Sequence, residues 1–502
     1  MAGPMELWQT LCLVAYCLII TFLSIYGIHR YQLLRLFYRH RQTPVPKPKS
    51  FEQLPAITVQ LPLYNEYHVV ERLLEAVGQL DYPRDRFQIQ VLDDSLDETC
   101  DKARRGVERL ATQGLDIEYL GRRERHGFKA GALAAGLKQS RGEFILILDA
   151  DFVPPPDILQ RAIHHFTNEK LGMVQMRWGH INRLYSHLTR IQSIFLDGHF
   201  IVEHTARNRS GRFFNFNGTA GIWRKEAIYE AGGWQHDTLT EDLDLSYRAQ
   251  LAGWQFLYLP EIEVPGEIPV EINAFKSQQH RWTKGAAQTA KKILPQIWRG
   301  SLPANIKVEA TLHLTANLCY ISMLLMGLLT LPVLTIRSQL GWGRFFIIDL
   351  PLFCFATMAI SGFYLTSQRV LYSDWKRQIK YLPLLMAIGM SLCINNTRAV
   401  LEGLIGHQSE FLRTPKYGFT GRKNHSPDRK YTSRWTLLSL GELSMALYFA
   451  ITLYHAWSTE LYLGLPFLLL FLIGFLYTGV LSTTQHVRHR FDTDPPHTTL
   501  ST

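Results

Sequence analysis

Two stretches without a single charged side chain, residues 7–28 and 461–484, constrain this chain more than anything else in it. Each exceeds the roughly 20 apolar residues that a helix needs to cross a bilayer. A backbone can pass through lipid only if its N–H and C=O groups are paired internally, and a helix does this within one segment. An integral membrane protein is therefore expected. No basic residue precedes the first run and no small-residue cleavage site follows it, so a retained helix is expected there and not a cleaved leader.

Charge supports the same placement. The 502 residues carry a formal net charge of +10, which raises the question of nucleic acid. The cations instead cluster beside the apolar runs, as they do on the cytoplasmic side of a membrane. Arg30, Arg35, Arg39 and Arg41 follow the first run directly, which puts the N-terminus outside. No nucleic-acid module is expected. Of the six cysteines, only Cys100 lies outside an apolar run, and no two form a CxxC pair. Neither zinc nor a disulfide framework is expected.

Between the runs the pattern changes. A proline- and lysine-rich linker occupies 42–55, and apolar strands at 57–63, 87–92, 117–120 and 144–148 then alternate with helical spacing at 68–80, 96–113 and 129–139. Alternation of this kind predicts an open, mainly parallel α/β sheet. A further strand is expected at 172–178 and another at 256–260. Residues 185–204 should form an amphipathic helix against membrane or sheet, and 273–298 a long helix with a basic face. Beyond residue 311 the apolar pattern resumes at 311–336, 345–367, 435–458 and 461–484. The segment 402–434 carries seven Lys/Arg against three acids and belongs inside. That condition holds if 381–404 lies in the interface without crossing. The expectation is five crossings and four parts. These are an N-terminal membrane helix with its basic flank (1–41), a cytoplasmic α/β domain (42–300), a C-terminal membrane region (301–490) and a tail (491–502).

The chemistry-bearing residues fall at strand ends, where open α/β sheets bind their ligands. Asp93 and Asp94 follow the second strand. Asp149 and Asp151 follow the strand at 144–148. Two carboxylates so placed suit a hard divalent cation such as Mg²⁺ or Mn²⁺ against a diphosphate, while a solvated turn remains the simpler account. Lys129 opens a helix among small residues and could meet a phosphate or simply cap the helix start. Thr240, Glu241 and Asp242 begin another helix, where Thr240 could be the N-cap and the acids favour the dipole. Alternatively one carboxylate is a general base for a sugar hydroxyl. Gln278, Arg281 and Trp282 combine an amide, a cation suited to a diphosphate and a flat indole suited to a sugar ring.

Taken together, these residues resemble the processive family 2 glycosyltransferases, the group that includes cellulose, chitin and hyaluronan synthases. The wording is most similar to the plant cellulose-synthase-like A and C proteins. Matching phrases are Val91-Leu92-Asp93-Asp94-Ser95, Lys129-Ala130-Gly131-Ala132-Leu133, Asp149-Ala150-Asp151-Phe152, Phe216-Asn217-Gly218-Thr219-Ala220-Gly221 and Gln278-Gln279-His280-Arg281-Trp282. The resemblance implies a GT-A (Rossmann-like) domain inserted between transmembrane helices, with interfacial amphipathic helices. It also implies inverting polymerisation of a hexose from GDP-mannose or UDP-glucose into a β-linked mannan, glucomannan or glucan that is moved across the membrane. Transfer of a single sugar to a lipid is the alternative.

Carried over residue by residue, Asp93, Asp94, Lys129, Asp149, Gln278 and Arg281 would bind the nucleotide sugar. Asp149 and Asp151 would hold Mg²⁺ or Mn²⁺. Asp242 would be the base, beside Thr240 and Glu241, and Trp282, Gly218 and Thr219 would meet the growing polysaccharide. Phe411-Leu412-Arg413-Thr414-Pro415-Lys416-Tyr417-Gly418 resembles the gating loop of bacterial cellulose synthase, with Thr414 and Lys416 closing over the diphosphate. The expected setting is the plasma (inner) membrane, with the catalytic domain in the cytoplasm.

Overall fold

The computed structural model describes residues 5–341, 346–407, 413–418 and 438–493. Helix α1 (Leu7–His40) comes first and exposes Leu7, Leu11, Val14 and Leu18 along its apolar run. The linker after it has no regular structure until Ile57.

Seven strands then build one sheet: β1 (Ile57–Leu63), β2 (Phe87–Asp93), β3 (Asp116–Gly121), β4 (Phe144–Ile147), β5 (Leu171–His180), β6 (Gly221–Arg224) and β7 (Gln255–Gly266). Their spatial order is β3-β2-β1-β4-β6-β5-β7. Strands β3, β2, β1 and β4 are parallel, as the alternating pattern predicts. Strand β6 runs antiparallel to both β4 and β5. The chain leaves β1 towards β2 and returns to its other side as β4. The crevice for a ligand therefore opens at the carboxyl ends of β1 and β4.

Helices α2 (Val70–Gly78), α3 (Thr99–Thr112) and α5 (Ile158–Ile163) cover one face of the sheet. In α2 the buried Val70, Leu73, Leu74 and Val77 show the spacing of a helix with one apolar stripe. Helices α4 (Phe128–Gln139), α8 (Lys225–Glu230) and α9 (Glu241–Leu251) cover the other face. The helix expected at 185–204 is a longer rod. It consists of α6 (His187–Asp197), a π-helical stretch (Gly198–His204) and α7 (Thr205–Arg209). Phe200 packs under the sheet, while Ile201, Val202 and Ala206 pack on Leu33 and Phe37 of α1 and on Phe363.

The remaining helices are α10 (Ile272–Arg299), α11 (Ala304–Thr315), α12 (Cys319–Gln339), α13 (Phe346–Leu371), α14 (Leu382–Ser391), α15 (Cys393–Ile405), α16 (Leu438–Ser458) and α17 (Leu465–Thr493). Among the described residues, three helical segments are long and apolar enough to cross a membrane: Leu7–His40, Ala304–Gln339 and Tyr462–Gln485. A fourth arises if the pair Trp375–Ser391 and Cys393–Ile405, bent by 42°, is counted as one span. That bend falls inside the 381–404 segment expected to lie in the interface. The runs expected at 345–367 and 435–458 form most of α13 and α16, although Phe345 and 435–437 lie outside the described residues. Helices α16 and α17 lock through near-parallel rings of Phe449 and Phe471, 4.6 Å apart.

A buried ion pair joins the α/β domain to these helices. Lys276 of α10 donates to both carboxylate oxygens of Glu442 in α16 at 3.0 Å, and to the Ser482 hydroxyl at 3.1 Å. Their side chains are only 4% and 1% exposed, so each charge depends on the other for solvation. Lys276→Met alone should therefore destabilise the protein by about 3 kcal/mol or more. The double variant Lys276→Met/Glu442→Leu should recover most of that loss, measured as thermal unfolding in detergent micelles. Equal unfolding temperatures for the single variant and the parent would show that the pair does not join the two halves.

Candidate active site

The central contact is a close approach of α10 to the start of α9. A Cβ on Gly285 would lie 2.5 Å from Thr240 Cγ2 and 2.8 Å from its backbone nitrogen, so only glycine lets the helices meet there. Around this point Gln288 accepts from the Leu239 N–H at 2.9 Å, and the Thr240 and Thr289 hydroxyls meet at 3.3 Å. Thr240 stands at the N-cap position, but its side chain does not cap the helix. That corrects the sequence expectation: the hydroxyl is engaged with α10 instead. The same contact brings Gln278, Arg281 and Trp282, one to two turns earlier on α10, onto the cavity lined by Thr240, Glu241 and Asp242.

The opposite wall comes from the strand ends. Asp149 and Asp151 follow β4 and line the same cavity, as do Asp94 and Lys129. Lys129 donates to Asp149 Oδ1 and, at 2.8 Å, to the Gly218 carbonyl. The Asp149 N–H donates to Thr219 Oγ1 at 2.8 Å. Gly218 has φ +83°, and a Cβ there would lie 3.0 Å from Asp242 Oδ2, so this position also demands glycine.

Asp93 and Thr219 do not line the cavity. Asp93 is 2% exposed, and its carboxylate accepts from the Ser95 N–H and the Tyr119 hydroxyl, both at 2.8 Å. Asp94 beside it accepts from Arg122 through both oxygens. The structure thus separates two neighbours that the sequence had paired: Asp94 faces the ligand space and Asp93 braces the strand end.

Residues 413–418 reach into the cavity from the far side, while Phe411 and Leu412 lie outside the described residues. Lys416 donates to Asp151 Oδ2 at 2.6 Å and to the Glu267 carbonyl at 2.8 Å. Thr414 lines the cavity, and Arg413 pairs with Glu66. Glu267 was missed in the sequence because no motif marks it. It pairs with Arg72 at 2.8 Å and accepts from the Tyr417 and Gly418 N–H groups at 3.2 and 3.3 Å.

The charges are mutually dependent. Burial, then the nearby Glu241 carboxylate, pushes the Asp242 pKa up to about 7, against the pull of Lys129, the Leu243 N–H and Arg281. Burial opposes the charge on Lys129, yet Asp149, Glu241 and Asp242 hold its pKa above the ordinary lysine value. For Arg281 burial prevails and lowers the pKa despite the same three acids.

Among the described residues, no three His, Cys, Asp or Glu side chains gather as a complete metal cage. Asp149 and Asp151 nevertheless fit a hard divalent cation. They offer carboxylate oxygens to one cavity and are now balanced by lysine ammonium groups, the sign of charge such an ion carries.

A family model described as glycosyl transferase family group 2 matches residues 144–481, which is most of the chain. The chain belongs to this family. The match runs from β4 into α17 of this glycosyltransferase. Glucomannan 4-beta-mannosyltransferase 1 of Oryza sativa subsp. japonica is 32% identical to it over 434 residues, covering 82% of this chain and 80% of the relative. Glucomannan 4-beta-mannosyltransferase 7 of Arabidopsis thaliana is 32% identical over 447 residues, covering 85% and 77% respectively. The mannosyltransferase PcManGT from Pyrobaculum calidifontis, solved in complex with GDP-Man and Mn²⁺, superimposes with a TM-score of 0.51 at 19% identity. That alignment covers 77% of this chain and 98% of the other, and it supports the fold of the glycosyltransferase domain.

A buried carboxyl with a pKa near 7 makes two linked predictions. If Asp242 takes a proton in the reaction, the rate should fall on the acid side of about pH 7, where it is neutral. Since the folded-state pKa is raised above 3.8, ionisation of Asp242 costs stability that is lost as pH climbs from about 4 to about 7. Asp242→Asn should therefore melt higher than the parent at pH 7 and similarly to it near pH 4. A constant difference across that range would remove the raised pKa.

Proposed function

We propose that this chain is a processive, inverting β-mannosyltransferase that polymerises mannose from GDP-mannose and passes the growing glycan to its membrane region. The observation that carries the proposal is the convergence of the α9 acids, the α10 amide, cation and indole, and the two strand-end aspartates on one cavity. The names of the two plant relatives favour β-1,4-mannosyl transfer, and GDP-Man in the archaeal structure favours a guanosine donor.

In this reading Asp242 accepts the proton of the acceptor hydroxyl as that oxygen attacks the anomeric carbon. The bond from that carbon to the diphosphate breaks, and the nucleoside diphosphate leaves with the electron pair. Configuration inverts in one step, with no bond to the enzyme. Trp282 offers a flat apolar surface for the acceptor sugar, and Gly218 leaves room for that sugar beside Asp242. Arg281, Gln278 and Lys129 hold the diphosphate oxygens, and Asp94 faces the nucleoside. A divalent cation, Mn²⁺ or Mg²⁺, held by Asp149 and Asp151 would neutralise charge on the leaving diphosphate. Lys416 and Thr414 close the cavity over the donor. The basic flank Arg30, Arg35, Arg39 and Arg41 supports a cytoplasmic position for the catalytic domain, on the side where nucleotide sugars are supplied.

Purified protein incubated with Mn²⁺ and GDP-mannose should release GDP and produce long β-linked mannan, with UDP-glucose a poorer donor. Products of one added sugar would reject processivity, and release from UDP-glucose alone would transfer the reading to a glucan. Asp242→Asn should reduce turnover by roughly 10²- to 10⁴-fold while GDP-mannose still binds. Turnover at the parent rate would remove Asp242 as the base.

A further inference from the structure

The π-helical stretch Gly198–His204 holds a single amide, that of Asn217, from both sides. His204 Nε2 donates to Asn217 Oδ1, and Asn217 Nδ2 donates to His199 Nε2 at 2.9 Å. His199 in turn donates from Nδ1 to Glu203 Oε2 at 3.0 Å, which sets its tautomer. π-Helical turns place side chains in relations that an α-helix cannot, and they are often found at functional sites. Here the stretch brings the two imidazoles together, tilted by 58° with ring centres 4.3 Å apart.

Behind this clamp lies a buried network that reaches the first membrane helix. Glu203 accepts from Arg30 of α1 and, at 3.1 Å, from Arg207. Arg207 also donates to Glu309 of α11 at 3.0 Å, and His29 of α1 meets the same Glu309 oxygen at 3.0 Å. Arg30 lies over the Phe363 ring of α13 at 4.6 Å. Two arginines and two carboxylates balance in a space where Glu203, Arg207, Glu309 and His29 are each under 10% exposed. In such surroundings every member is strongly coupled to the others.

Ahead of the clamp lies the catalytic cavity. Asn217 lines it, and its own N–H is held by Gln175 Oε1 at 3.0 Å. The next two residues make the donor-side contacts described above: the Gly218 carbonyl receives Lys129, and Thr219 Oγ1 receives the Asp149 N–H.

We propose that Arg30, on the first membrane helix, is a positioning residue of the donor site, acting through Glu203, His199 and Asn217 on Gly218 and Thr219. The helix is then part of the active-site wall as well as an anchor. Without Arg30, the Glu203 carboxylate loses one of the two arginines that fix it and no longer holds the Nδ1–H of His199 in place. An imidazole free to turn no longer presents Nε2 as the acceptor for Asn217 Nδ2. The amide is released, and the seats of Lys129 and Asp149 loosen with it. The inference rests on the donor-site reading proposed above.

The test is steady-state GDP release by the full-length protein in detergent with Mn²⁺ and GDP-mannose. Arg30→Met should raise the donor KM about tenfold, the scale of one lost charge-assisted hydrogen bond, with kcat changed by less than about threefold. Arg30→Lys should restore most of the KM. The double variant Arg30→Met/Asn217→Leu should be no worse than Asn217→Leu alone, since both break one chain of contacts. Parent KM in Arg30→Met, or effects that multiply in the double variant, would overturn the inference. If Arg30→Met does not fold, His199→Phe cuts the same chain while leaving the Arg30–Glu203 pair, and a parent KM there overturns it equally. Parent protein that turns over no nucleotide sugar refutes the donor-site reading itself, whereas turnover with an unmoved variant KM refutes only the role of Arg30.

Discussion

Two helices can touch at Gly285 because neither side chain nor backbone of α9 tolerates a Cβ there. The acid cluster on α9 and the amide, cation and indole on α10 otherwise belong to separate faces of separate elements. Their approach puts Asp242 and Trp282 on one cavity, and it draws in the rest of α10 as well. Further along that helix Ala290, Ile293 and Ile297 pack on Leu243 and Tyr247 of α9 and on Ala310 and Leu314 of α11. The cavity-lining residues of α9 and α10 are thereby set against α11, which leads into the long apolar segment Ala304–Gln339.

Gathering so much charge in a recess has a cost that the surrounding structure offsets pair by pair. Lys129 balances Asp149, Lys416 balances Asp151, and Arg122 balances Asp94. Each pairing sets opposite charges side by side in the recess. Asp242 is treated differently: it has cations nearby, yet Glu241 beside it and its recess hold its pKa near 7. This is the value a proton acceptor needs at neutral pH. Helix α16 follows the same rule, its Glu442 balanced by Lys276 of α10.

Much of the α/β domain was legible in the chain. Strand β1 falls at 57–63 as its apolar run predicts, and β2, β3 and β4 lie within a residue of their expected bounds. The signal there is apolar alternation, Ile57, Val59 and Leu61 in β1 and Phe87, Ile89 and Val91 in β2, with an unbroken apolar run only in β4. Strand β6 was missed because Gly221–Arg224 is only four residues long and holds its place through its neighbours. The rod 187–209 was foreseen as amphipathic, but its π-helical stretch was not, since no residue pattern distinguishes one extra residue per turn. Asp93 and Asp94 show the same limit in the site. Adjacent residues on a strand point to opposite sides, and only the packed sheet decides which carboxylate faces the ligand.

By itself, then, the sequence determined three of the five expected membrane runs, the parallel core and the order of the chemistry-bearing residues. Those properties depend on local composition and period, which neighbouring residues carry together. Tertiary structure alone decided that Asp242 sits against Gly218, that Lys416 returns from beyond residue 400 to Asp151, and that Glu442 has a partner. It also decided that Arg30 of the first helix reaches Glu203. Each of these joins residues far apart in the chain. Such contacts arise from the balance of buried charge and close packing over the whole fold, and no short window of sequence contains that balance.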